Sequence, residues 1–156
     1  MTAYHWLLLF HLLGAFSMFA GAAVAGTLQL GAIRAERPSS VLGLLRLARV
    51  GVLLVVLGAA ATLGFGIALA DHLGYGLSPA WIRAALGLWA ASVVLGAAGG
   101  RTARRARHLA GRLAEQGDGP SAELHALVAD RPSLWASYLS SILIVAIVVL
   151  MVWRPA

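Results

Sequence analysis

Residues 1–33, MTAYHWLLLFHLLGAFSMFAGAAVAGTLQLGAI, contain no Asp, Glu, Lys or Arg. A helix over 4–31 crosses ~30 Å of hydrocarbon with room for tilt. Three more apolar segments follow at 50–70, 81–100 and 134–153. Each is about 20 residues long, enough to span a bilayer as a helix. None alternates with a period of two, which excludes a membrane β-barrel. The expected fold is all-α: a polytopic four-transmembrane-helix bundle forming one domain over 1–156, with connections at 32–49 and 101–133.

Composition agrees with a lipid environment. The hydrophobic fraction is 60% and the charged fraction 12%, about half the ~25% charge of soluble domains. Without cysteine there is neither a disulfide framework nor a thiolate metal site. The first span follows no basic n-region and is too long for a signal-peptide core, so it is expected to stay in the membrane.

All twelve basic residues are Arg. Arg34, Arg37, Arg46 and Arg49 follow span one, and Arg101, Arg104, Arg105, Arg107, Arg112 and Arg131 lie between spans three and four. Only Arg83 and Arg154 fall on the other side. The positive-inside rule puts both basic connections in the cytoplasm and both termini outside. The charge is thus a topology signal, and no nucleic-acid partner is expected. The Arg101–Arg112 cluster could also hold anionic headgroups.

The helices should project beyond the lipid. Pro38-Ser39-Ser40 offers a turn and an N-cap before 41–50, and 101–115 continues span three. Gly117-Asp118-Gly119-Pro120 breaks the chain, 121–129 is a short helical candidate, and Pro132-Ser133 introduces span four. On the other side Asp71–Gly76 reads as a loop and Ser78-Pro79 as a cap opening span three. Trp6, Trp81 and Trp153 fall where an outer aromatic belt is expected. Gly21/Ala25, Ala60/Gly64, Gly87/Ala91 and Gly96/Gly100 have the spacing that lets helices approach closely in lipid. Such faces serve a compact bundle, and also a larger membrane-protein complex or a homodimer.

Few residues can carry chemistry. His11 lies about two turns into span one, where an ionisable group normally faces the bundle interior and has a partner. Gly14 and Met18 share its face, and the small residue leaves space for a flat macrocycle. A neutral imidazole can bind haem iron axially, making His11 a metal ligand through haem b. The other reading is a histidine hydrogen-bonded to a Ser or a backbone carbonyl of a neighbouring helix. His72, another group or a second chain would have to supply the other axial ligand, and Arg83 would hold a propionate or pair with Asp71. His5 and His72 with Asp71 form a weaker copper or zinc set. His108 and His125 are expected in solvent. Gln29, Thr62, Ser92, Ser137, Tyr138, Ser140 and Ser141 are expected to hydrogen-bond between helices. The spans contain no Ser/His/Asp set, phosphate loop or paired carboxylates, so a catalytic residue is not assigned and the chain reads as non-enzymatic.

The run Trp6-Leu7-Leu8-Leu9-Phe10-His11-Leu12-Leu13-Gly14-Ala15 with Gly21, and the ending Leu150-Met151-Val152-Trp153-Arg154-Pro155, resemble a bacterial integral-membrane family of unknown function, domain of unknown function 2269. That family is similar to copper-resistance D proteins and to the membrane-embedded J-type protoporphyrinogen oxidases. The resemblance implies the bacterial inner membrane, and for His11 it implies haem, with electron transfer or haem handling as the role. The oxidases also rely on a lysine, which this sequence lacks, so their reaction does not carry over. No Met/His-rich outer segment supports copper import. The alternative is a small non-catalytic accessory subunit of a larger membrane complex.

Overall fold

The computed structural model describes residues 2–153, so Arg154 and the two residues after it lie outside the description. Four long helices carry the chain: α1 (Ala3–Arg34), α2 (Pro38–His72), α3 (Ala80–Glu115) and α5 (Arg131–Trp153), with a short α4 (Ala122–Val128) before the last. All four are apolar enough to cross a membrane, and no strand occurs among the described residues. The surface is inverted relative to a soluble protein. Phe16, Val94 and Trp135 are each about 70% exposed, a pattern a bilayer tolerates and water does not.

The elements are those the sequence foretells, with shifted ends. Ala35 ends α1 in an extended conformation, Arg37 is extended as a residue before proline prefers, and Pro38 opens α2 itself. Ser39 and Ser40 therefore lie inside the first turn of α2 and do not precede it. Asp71 and His72 form the last turn of α2, so the loop is shorter than expected. It turns through Gly74 and Gly76, both at positive φ. Pro79, rather than Ser78, is the N-cap of α3. Ser121, expected within the short helix 121–129, is instead the N-cap of α4, its hydroxyl accepting from the Leu124 N–H.

The bundle consists of two antiparallel pairs, α1 with α2 and α3 with α5, joined more lightly through α2 and α3. The first pair is a glycine seam. A Cβ on Gly21 would lie 2.5 Å from the Gly51 carbonyl, and one on Gly58 would lie 2.6 Å from the Gly14 carbonyl. Only glycine permits this backbone approach. Ser17 adds a hydrogen bond across the seam to the Leu54 carbonyl at 3.1 Å. The second pair is held by serines. Ser140 donates to the Ser92 carbonyl at 2.8 Å and Ser133 to the Gly99 carbonyl at 3.0 Å. Ser137 occupies the space a Cβ on Gly99 would need.

Two apolar clusters fix the pairs relative to each other. In the membrane, Met18, Ala59 and Ile144 meet, with Phe19 and Trp89 packed against them. The larger cluster lies at the basic end, where Ala32, Val41, Leu45, Ala106, Leu109, Ala110, Leu124 and Val128 close together. Beyond the lipid the hydrophobic effect acts at full strength, worth ~1.5–3 kcal/mol for each large side chain buried there. Gln29 donates to the Val128 carbonyl at 3.1 Å, tying α1 to the end of α4. Asp118, at φ 55°, accepts from the Ser39 N–H at 2.7 Å and from its hydroxyl at 2.6 Å. Arg37, the N-cap of α2, offers no side-chain cap, so Asp118 caps that helix from the far connection.

Candidate functional site

His11 lies eight residues below the start of α1, a depth of ~12 Å along the helix. Its Nδ1 donates to the Thr62 carbonyl of α2 at 2.9 Å, the bond that the hydrogen-bonded, non-ligand reading of His11 expects. A carbonyl oxygen only accepts, so the proton must reside on Nδ1 and the lone pair on Nε2. Gly66 makes the approach possible, because a Cβ there would lie 3.0 Å from both Cε1 and Nδ1 of the ring. Thr62 and Gly66, one turn apart on α2, thus form the seat of the imidazole. Nε2 has no partner among the described residues.

Gly14 does not do what its spacing suggests. The space a Cβ would take there is occupied by Thr62, with Oγ1 at 2.7 Å and the backbone N at 2.8 Å, and by the Gly58 carbonyl at 3.0 Å. The room beside His11 is therefore filled by helix α2, and no macrocycle enters the α1–α2 seam. Met18 is buried lower on the same stripe. Two buried polar atoms flank this stripe without a hydrogen-bond partner: Thr62 Oγ1, turned to Gly14, and Trp89 Nε1, whose ring packs on the Met18 cluster. In a medium without water such atoms are costly.

The other sequence candidates lie apart from His11. His72 is exposed in the last turn of α2, ten residues above Thr62, or ~15 Å along the axis. Arg83 is exposed near the start of α3 and forms no ion pair with Asp71. His5 is exposed, with Nδ1 2.6 Å from the Thr2 hydroxyl and its ring edge-on to Tyr4. Among the described residues no three metal-ligating side chains gather, so His5, Asp71 and His72 do not assemble the expected copper or zinc set. His108 and His125 are exposed, as expected.

The fold is an apolar four-span helical bundle, and one family profile, described as a predicted integral membrane protein, matches residues 5–155. The chain belongs to the DUF2269 family. No curated protein and no solved structure matches this DUF2269 chain. The glycines that build its seam were not among the small-residue pairs read from the sequence, Gly21 apart. Gly64, Gly87 and Gly100 face open space. The informative signal is a spacing of seven, Gly14 with Gly21 and Gly51 with Gly58, repeated on two consecutive helices of the DUF2269 chain.

Proposed function

We propose that this protein binds a b-type haem through Nε2 of His11 and serves electron transfer or haem handling in the bacterial inner membrane, with both termini outside. The observation that carries the reading is the 2.9 Å hydrogen bond from Nδ1 to the Thr62 carbonyl. Metal-bound histidines characteristically donate their other ring N–H to a carbonyl or carboxylate, which fixes the tautomer and raises the basicity of the ligating nitrogen. His11 has that arrangement, inside the membrane and with no competing partner for Nε2. The spans offer neither thiolate nor carboxylate to favour another metal. When bound, haem supplies a one-electron couple. The protein holds the imidazole against α2 through the Thr62 carbonyl and leaves Nε2 open. His72, ten residues along α2 from Thr62, is too far away to help His11 hold the group.

The test is the absorption spectrum of detergent-purified protein after haem-sufficient expression, oxidised and then reduced with dithionite. A Soret band that disappears in His11→Ala, while helicity and elution volume are retained, is the expected result. A featureless wild-type spectrum, or a band indifferent to His11→Ala, overturns the proposal. The accessory-subunit reading would then lead. It is favoured by the use of Ser17, Ser92, Ser133 and Ser140 in bonds to helix carbonyls, which leaves few reactive groups.

A further inference from the structure

Arg107 of α3 has Arg104 one turn away on its own helix, and Arg49 of α2 follows one turn after Leu45, which shares an apolar cluster with Ala106 and Leu109 on either side of Arg107. It is half-buried, beside Ala106 and Leu109 of the basic-end cluster, in which Leu45 packs α2 against α3. Burial, then the charges of Arg49 and Arg104, push its guanidinium below its ordinary pKa. No carboxylate answers these three charges. Of the five acidic groups at this end, Asp118 is bound to Ser39 and Asp130 to the Ser133 N–H, and Glu36, Glu115 and Glu123 form no ion pair with these arginines. A topology signal requires only that arginines lie on one side of the membrane. It does not require three to converge from two helices, where they repel one another. Guanidinium presents planar, forked donors suited to phosphate.

Location identifies the anion. Arg49 immediately precedes the uncharged run 50–70, and Arg104 lies four residues past Gly100, where the uncharged run 84–100 ends. A rise of ~6 Å places Arg104 in the headgroup layer rather than in bulk water. The apolar cluster beneath holds α2 and α3 in register, so the charges are fixed in advance of binding.

We infer that Arg49, Arg104 and Arg107 form a binding site for the phosphate of an anionic phospholipid headgroup. Arg49 and Arg104 are exposed, as are Arg101, Arg105 and Arg112, but only the first two act on the half-buried Arg107.

The test uses the full chain in neutral maltoside micelles, reading energy transfer from its tryptophans to dansyl-phosphatidylglycerol. Unlabelled phosphatidylglycerol, phosphatidylcholine and inorganic phosphate serve as competitors. Phosphatidylglycerol should displace the probe, and the other two should not. The triple variant R49Q/R104Q/R107Q should bind the probe on the order of a hundredfold more weakly. The control R101Q/R105Q/R112Q should change binding by much less. Because the first variant removes mutual repulsion, its fold should survive, which circular dichroism checks. Equal losses in the two triple variants, or equal competition by phosphatidylcholine, would overturn the site. Displacement by inorganic phosphate at equal concentration would reassign it to a free anion and overturn the lipid assignment.

Discussion

Adding one methyl group to the glycine seam should separate α1 from α2, and α1 contains its own control. At Gly21 the new Cβ would lie 2.5 Å from the Gly51 carbonyl, 2.8 Å from the Val55 nitrogen and 2.9 Å from the Leu54 Cβ. The first two are helix backbone, which cannot rotate away. Restoring ordinary contact at 3.4 Å demands that the helices part by about 0.9 Å, the difference between the two distances. A gap of 0.5–1 Å forfeits roughly a quarter to a half of each dispersion contact along the seam. Overpacking of this kind costs about 1–3 kcal/mol. Gly26, on the same helix, has nothing within 4 Å of its Cβ position. There alanine should stabilise by up to about 1 kcal/mol, the helix-propensity gain over glycine. Unfolding by dodecyl sulfate from mixed micelles, followed by tryptophan fluorescence, measures both. Gly21→Ala should unfold at lower detergent fraction than wild type and Gly26→Ala at equal or higher. If Gly51→Ala is added to Gly21→Ala, the second loss should be smaller than the first, since the helices have already parted. Equal behaviour of Gly21→Ala and Gly26→Ala would refute the seam.

The cap on α2 should be sensitive to acid. The Ser39 hydroxyl, then its N–H, and then the charge of Arg37 hold the Asp118 carboxyl below its ordinary value. Its contribution is therefore complete above the unfolded carboxylate pKa of ~3.9 and is lost as pH falls through the lower folded value. Hydrogen exchange at the start of α2 should lose protection over that acid range, and Asp118→Asn should abolish the pH dependence. Protection that stays constant on acidification would count against the cap. For orientation, alkaline phosphatase fused after Ala156 should be active and a fusion after Gly119 inactive. The opposite pattern would invert the bundle.

The spans, their number and the long basic-end extensions were legible because each is written in composition alone: a run without charge, then arginines. Helix ends were less legible. Ser39 looks like an N-cap, yet the cap comes from Asp118, 79 positions later, and no local pattern announces a bond between two connections. His11 was singled out from sequence as an ionisable group inside the membrane, with a haem-ligand reading and a hydrogen-bonded reading both open. Its partner is a main-chain carbonyl, which every residue possesses and which sequence therefore cannot mark. Gly14 misled for a related reason. A glycine records that something comes close without recording what, and here it was a helix backbone rather than open space.

The unequal sequence separation of the two helix pairs has a consequence for biogenesis. Every close contact of the glycine seam joins residues within the first 72 of the chain, so this hairpin can close while the ribosome is still making the remainder. The serine-linked pair cannot, since Ser140 must wait beyond a whole extramembrane excursion to find Ser92. The cluster at the basic end draws on Ala32 and on Val128 alike, so it locks only after α4 has emerged. A translocon would thus release a finished hairpin first. Residues 106–128 would then act as the latch that joins the late half to the early one.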